Sequence, residues 1–224
     1  MANQHTAKYR AVTAATMAAL ALSAGVLPVC DAVPLASAQV LHTAPATEAQ
    51  TQLYAGMRSL WNQHMDGTWA VVVAFANDPV ALAPSLAGLL SNQVDIGNAF
   101  APYYGRQVAS QLTGLLTIHI LDAVPVLTAA RINSQPALDA AVANWQSNAR
   151  DIADFLAGIN PSWPQQDMRD AMRMHIDQTV TYSGAVIGGD NSAATAEFGE
   201  AKAHMIDVAD ILSQGIITQF PDKF

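Results

Sequence analysis

The chain of 224 residues is 51% hydrophobic and only 12% charged, with 10 basic against 18 acidic residues and a formal net charge of −8. That composition belongs to a packed globular chain and excludes a disordered one. Its sign disfavours nucleic acid and anionic membrane surfaces as partners.

Residues 1–38 read as a secretory signal peptide. Lys8 and Arg10 precede an apolar run from Ala11 to Val29, and Ala36-Ser37-Ala38 offers small residues at the positions a signal peptidase reads. The expected mature chain starts near Gln39 and is exported to the periplasm, cell wall or medium, with no stable membrane insertion after cleavage. A retained anchor is the alternative, but Thr, Ser, Gly and Pro dilute the run as a spanning helix. Cleavage removes Lys8, Arg10 and Asp31 and leaves a net charge of −9. It also removes Cys30, the only cysteine. An exported chain without cysteine has no disulfide or thiolate chemistry and must be held by packing.

Residues 39–47 read as a flexible leader, and 48–224 as a single domain with no internal repeat. A first helix is expected over about 48–76, with Met57, Leu60, Trp61, His64, Val71 and Phe75 on one stripe. Asp78-Pro79 stops it. A second runs over about 80–100, and Pro102 and Gly105 make the next turn. A third spans about 107–132, with Leu112, Leu115, Leu116, His119, Ala123 and Val126 at helical spacing, and Pro125 is expected to kink or break it. Ser134 caps a fourth over 135–158, with Pro136 tolerated in its first turn. Asn160-Pro161-Ser162-Trp163-Pro164 makes a rigid corner. The fifth, over about 165–187, aligns Met168, Met172, His175, Thr179 and Tyr182 and ends at Gly188-Gly189. Ser192 caps the last, which carries Ala201, His204, Val208, Ile211 and Gly215 on one stripe to about Thr218. No stretch alternates as a strand does. The class is all-α, most simply an up-and-down bundle of four long helices with one or two accessory helices.

Four histidines, His64, His119, His175 and His204, fall on the apolar stripes of four separate long helices. Each lies roughly twelve to seventeen residues from its helix start, so at about 1.5 Å per residue all four stand near mid-height. Neutral imidazole suits zinc, copper, iron or nickel, and bundle cores are common places for such sites. The expectation is one transition metal ion, copper or zinc before iron. The alternative is that each ring is a core residue bonded to a carbonyl or hydroxyl. Asp122 and Asp207 stand three residues after His119 and His204, a spacing that shares a helix face, and Asp210 lies six past His204. They are candidate additional ligands or orienting groups, against the usual solvent-facing fate of Asp. Met172 shares a face with His175 and has a thioether suited to Cu(I), although Met is ordinary core filler. A polar cluster of Asn92, Gln93, Asp95, Asn98, Tyr103 and Tyr104 follows. Asp95 and Asn98 would complete a histidine site or bond the backbone near the proline turn.

Other chemistries lack their motifs. Glutamate occurs only at Glu48, Glu197 and Glu200, with no Glu-x-x-His pair for a ferritin-like di-iron centre. There is no His-Glu-x-x-His, no Gly-rich phosphate loop and no nucleophile elbow, so no nucleotide cofactor is expected.

The segments LWNQHM, NQVDIGNAFAPYYG, LLTIHIL, the Asn-Pro-Ser-Trp corner, MHIDQT and ADILSQGIITQFPDKF resemble a poorly characterised bacterial all-helical family that circulates under names such as glycosyltransferase. The resemblance runs from about Leu60 to Phe224. It implies helices and a bundle and supplies no catalytic residues. Pro125 stands where the family pattern has an acid, which puts that position's role in doubt. A sugar transferase usually needs a nucleotide-binding sheet, and none is read here. The functional expectation is an exported metal-binding bundle with no assigned reaction. Its rivals are a non-catalytic interaction protein with an unnamed partner, and a bundle with a small-molecule or haem pocket.

Overall fold

The structure is a computed structural model, which describes residues 45–224. Residues 1–38, read above as a secretory signal and carrying Cys30, and residues 39–44 of the expected leader lie outside the described residues. Among the described residues all regular structure is helical: α1 (Glu48–Asn77), α2 (Pro79–Arg131), α3 (Gln135–Ile159), α4 (Gln165–Gly188), α5 (Asn191–Gln219) and a final 3-10 turn at Pro221–Lys223.

Local chemistry accounts for most of the boundaries. Thr47 caps α1 by accepting the Gln50 N–H at 3.1 Å, and Gln50 Oε1 reaches back to the Ala46 N–H at 2.7 Å, a reciprocal cap. Asp78 ends α1 and caps α2, accepting from Val80 and Ala81 N–H, with Pro79 in the first turn where its missing N–H costs nothing. Gly189, at φ +78°, closes α4 in the left-handed conformation that glycine adopts freely.

Three expectations need correction. The last helix is capped by Asp190, which accepts from the Ala193 N–H at 3.0 Å, rather than by Ser192. Ser134 stands at the N-cap of α3 but its hydroxyl makes no cap bond. The helix carrying His119 runs through Pro125 to Arg131 without non-helical backbone there. Pro125 is exposed, so the carbonyl it leaves without a helical partner can turn to water, and a kink is not forced. The interruption comes earlier, at Gly105, where φ +83° and ψ 166° lie in a region essentially reserved for glycine. The chain bends there. The arm 79–104 then packs along the arm 106–131, and a Cβ at Gly97 would collide with the Thr113 hydroxyl and the Ala109 carbonyl.

Each helix touches the next, α5 closes on α1, and α4 also meets both α1 and α2 through the interior. One continuous core includes Met57, Trp61, Phe100, Leu116, Ile152, Ile176, Tyr182 and Leu212. Among the described helices α2 alone is long and apolar enough to cross a membrane. It nonetheless buries Leu89, Ile96, Phe100, Leu112, Leu116, Val126 and Leu127 against its neighbours.

Candidate metal centre

His64 of α1, His119 of α2 and His175 of α4 are each 2% exposed and meet at one level of the core. The His175 ring lies 5.8 Å from that of His64 and 5.6 Å from that of His119, centroid to centroid. Their helix stripes carry them there: His64 follows Trp61 by three residues, and His119 follows Leu112 and Leu116 by seven and three. Two indoles flank the group, Trp61 edge-on to His64 at 5.3 Å and Trp145 against His119 at 5.2 Å.

The hydrogen bonding around His119 determines its proton. Asn148 Nδ2 donates to the Leu115 carbonyl at 3.2 Å, which leaves Asn148 Oδ1 as the acceptor facing His119 Nδ1 at 2.8 Å. His119 therefore carries its proton on Nδ1, and its Nε2 lone pair is buried with no hydrogen-bond partner. His175 Nδ1 is likewise buried and unpartnered. His64 Nδ1 faces the Gln93 amide nitrogen at 3.3 Å. That nitrogen has two hydrogens and three neighbours, the others being Leu89 O at 2.7 Å and Asn92 Oδ1 at 3.2 Å, so the imidazole receives the weakest contact.

Burial strips each ring of the water that would stabilise its charged form. His64 is pushed down to about 3, by burial first and then by the nearby His119. His119 is lowered to about 4 by burial, partly offset by Asn148. His175 falls well below the usual imidazole value, by burial and then by His119, His64 and His204. All three are neutral at pH 7, the form in which imidazole binds metal.

Beside the rings is a cavity of about 30 Å³, roughly two water-sized positions. Val71, Leu89, Ile120, Val126 and Leu127 wall it, with the Thr68, Thr179 and Ser183 side chains as its few polar additions. Among the described residues no three His, Cys, Asp or Glu side chains already stand as a metal cage. The His119 and His175 planes are within 22° of parallel, so converging their nitrogens on one ion requires rings to turn, for which the cavity offers room.

The remaining expected residues lie elsewhere. His204 is half-buried and donates from Nε2 to the Ala171 carbonyl at 2.9 Å. It is near enough to oppose charge on His175, yet it does not line the cavity. Asp210 is buried and taken up by Arg58, with both oxygens bonded at 2.6 Å. Asp95, Asn98 and Asp207 are exposed. Asp122 is half-buried, its carboxyl raised by burial and steadied by Asn144 rather than by a histidine. Met172 is buried but lines a smaller cavity, with Trp61, Phe100 and Leu212. From the polar cluster on α2, Gln93 and Asn92 reach the site, and Asp95 and Asn98 do not. Asn148 is an unanticipated member. Its trace in the sequence is an amide on the α3 stripe that also carries Trp145, Ile152 and Leu156.

Asn148→Ala is expected to cost about 1–3 kcal/mol, because a buried imidazole N–H loses its acceptor. Urea midpoints would measure the loss, and ¹⁵N shifts of His119 would show its proton no longer confined to Nδ1.

No protein-family model matches this chain, and neither the curated proteins nor the solved structures include a significant match.

Proposed function

We propose that this is an exported helical-bundle protein that binds one transition metal ion, copper or zinc before iron, through His64, His119 and His175. The observation that carries the reading is a pair of unpaired ring nitrogens, His119 Nε2 and His175 Nδ1, buried where each costs free energy without a partner. Most buried polar atoms are satisfied; Gln93 Oε1, Ser183 Oγ and the Trp61 and Trp145 ring N–H groups also lack partners here, but the two imidazole nitrogens are the ones with lone pairs suited to a transition metal. Two unsatisfied imidazole nitrogens on adjoining rings are explained together by one ion at about 2.0–2.1 Å from each. Asn148 acts as orienting groups do in metal centres, fixing the proton on the nitrogen away from the ion. The histidine-bearing helices then serve as the long members of an up-and-down bundle, and α3 supplies the orienting amide.

Size favours an ion over an organic ligand. A cavity of about 30 Å³ is an order of magnitude below the roughly 300 Å³ of the smallest usual ligand pockets, so haem would have to displace the core. Three protein ligands leave one position for water or a substrate, and no reaction is assigned.

Elemental analysis of the purified protein, with metal titration, tests the reading. About one equivalent is expected, lost in His119→Ala and in His175→Ala. No tight transition metal in the parent, with titrations unchanged in both variants, refutes it.

A further inference from the structure

We propose that the ion held at the three histidines is monovalent, a cuprous ion, and that the centre discriminates against divalent metals by withholding negative charge. The proposal rests on the metal reading above and adds the valence of the cargo. All three imidazoles are neutral ligands, so the bound centre keeps the full charge of its ion. The surrounding wall is aliphatic apart from Thr68, Thr179 and Ser183, and its aromatic member Trp145 is uncharged. Among the described residues no carboxylate stands beside the rings to compensate. Asp210 is bonded through both oxygens to Arg58. Asp177 is exposed and bonded to Gln146. Asp122 is half-buried beside Asn144.

The cost of placing a charge in such a medium rises with the square of the charge. A divalent ion therefore pays four times the penalty of a monovalent one at the same position. A divalent zinc ion also asks for a fourth donor, usually water or an anion, and the cavity wall has little polar surface to hold either. A cuprous ion can be held by two or three imidazoles with no further ligand. The indoles of Trp61 and Trp145, with ring centroids 5.3 and 5.2 Å from those of His64 and His119, flank the group and add no charge of either sign.

Anaerobic titration of the purified protein with Cu(I), in competition with a chromophoric Cu(I) chelator, tests this beside parallel titrations with Ag(I), Zn(II) and Cu(II). Silver serves as the redox-inert monovalent probe. Cu(I) and Ag(I) are expected to bind at one equivalent, to quench tryptophan emission, and to shift the ¹⁵N resonances of His64, His119 and His175 but not of His204. Zn(II) and Cu(II) are expected to bind at the same rings roughly a hundredfold or more weakly. The ¹⁵N shifts are read in the unmutated protein, so the outcome does not depend on a variant that fails to fold. Zn(II) or Cu(II) binding at these rings as tightly as Cu(I) overturns the valence argument and leaves the metal site standing. No shift at the three histidines with any of the four ions overturns both.

Discussion

The metal-free protein is expected to lose stability steeply as the pH falls from about 6.5 towards 4. In the unfolded chain each histidine takes a proton near 6.5. In the folded protein His64 does so only near 3 and His119 near 4, and His175 is also shifted well down. Across that window the unfolded state binds more protons than the folded one, so stability rises with pH and falls with acid. The contribution is fully present above about 6.5 and is lost as the pH drops towards the folded values. Each ring held neutral costs about 1.4 kcal/mol per pH unit below 6.5, or about 2 kcal/mol at pH 5. His64 and His119 together cost about 4 kcal/mol at pH 5, and His175 adds to the loss in the same direction, against a typical total stability of 5–15 kcal/mol. Gln93, Asn92 and Asn148 offset the shifts only in part, and among the described residues the other neighbours are His204, Thr68, Thr179, Ser183, two indoles and aliphatic groups, with no acid acting on the rings. Urea midpoints by circular dichroism between pH 7.5 and 4.5 measure the slope. A flat profile down to pH 5 would mean that the rings are hydrated or already charged.

Gly215→Ala is the second substitution expected to weaken the fold strongly, by about 3 kcal/mol, as overpacking does at its upper range. A Cβ at that position would fall inside the indole of Trp163. Trp163 has nowhere to retreat. It is 1% exposed, its ring N–H donates to the Ile211 carbonyl at 3.1 Å, and Phe100 and Tyr104 close its other sides at 6.1 and 6.0 Å. Alanine's better helix propensity recovers about 1 kcal/mol and does not cancel the collision. Expelling the indole instead would cost about as much as deleting a buried tryptophan, about 3–5 kcal/mol. Thermal unfolding followed by tryptophan emission should show a lowered midpoint and a Trp163 environment that is wetter before melting. A variant with unchanged stability would place the corner at residues 160–164 further from α5 than described.

The amino-acid sequence by itself determined the helices and the height of each histidine along its helix. Apolar residues recur at helical spacing, prolines and glycines punctuate them, and rise per residue converts position into height. This holds for α1, α3, α4 and α5 to within a residue or two, and for the bend near Gly105. Rotation about each helix axis was less legible, because a broad apolar stripe allows a ring to face either of two neighbours. His204 sits on the α5 stripe like the others, yet it is turned to a carbonyl of α4. Asp95 and Asn98 belong to the same polar stretch as Gln93, but steps of about 100° per residue carry them round to solvent. Met172 shares the face of His175 and still opens on another cavity. Asn148 was invisible as a partner because the link between α3 and His119 spans 29 positions of chain. Only tertiary packing decided which three rings meet, which amide orients one of them, and that no acid among the described residues joins them. Those outcomes depend on how whole helices pack against one another, and periodicity within a single helix carries no record of its neighbours.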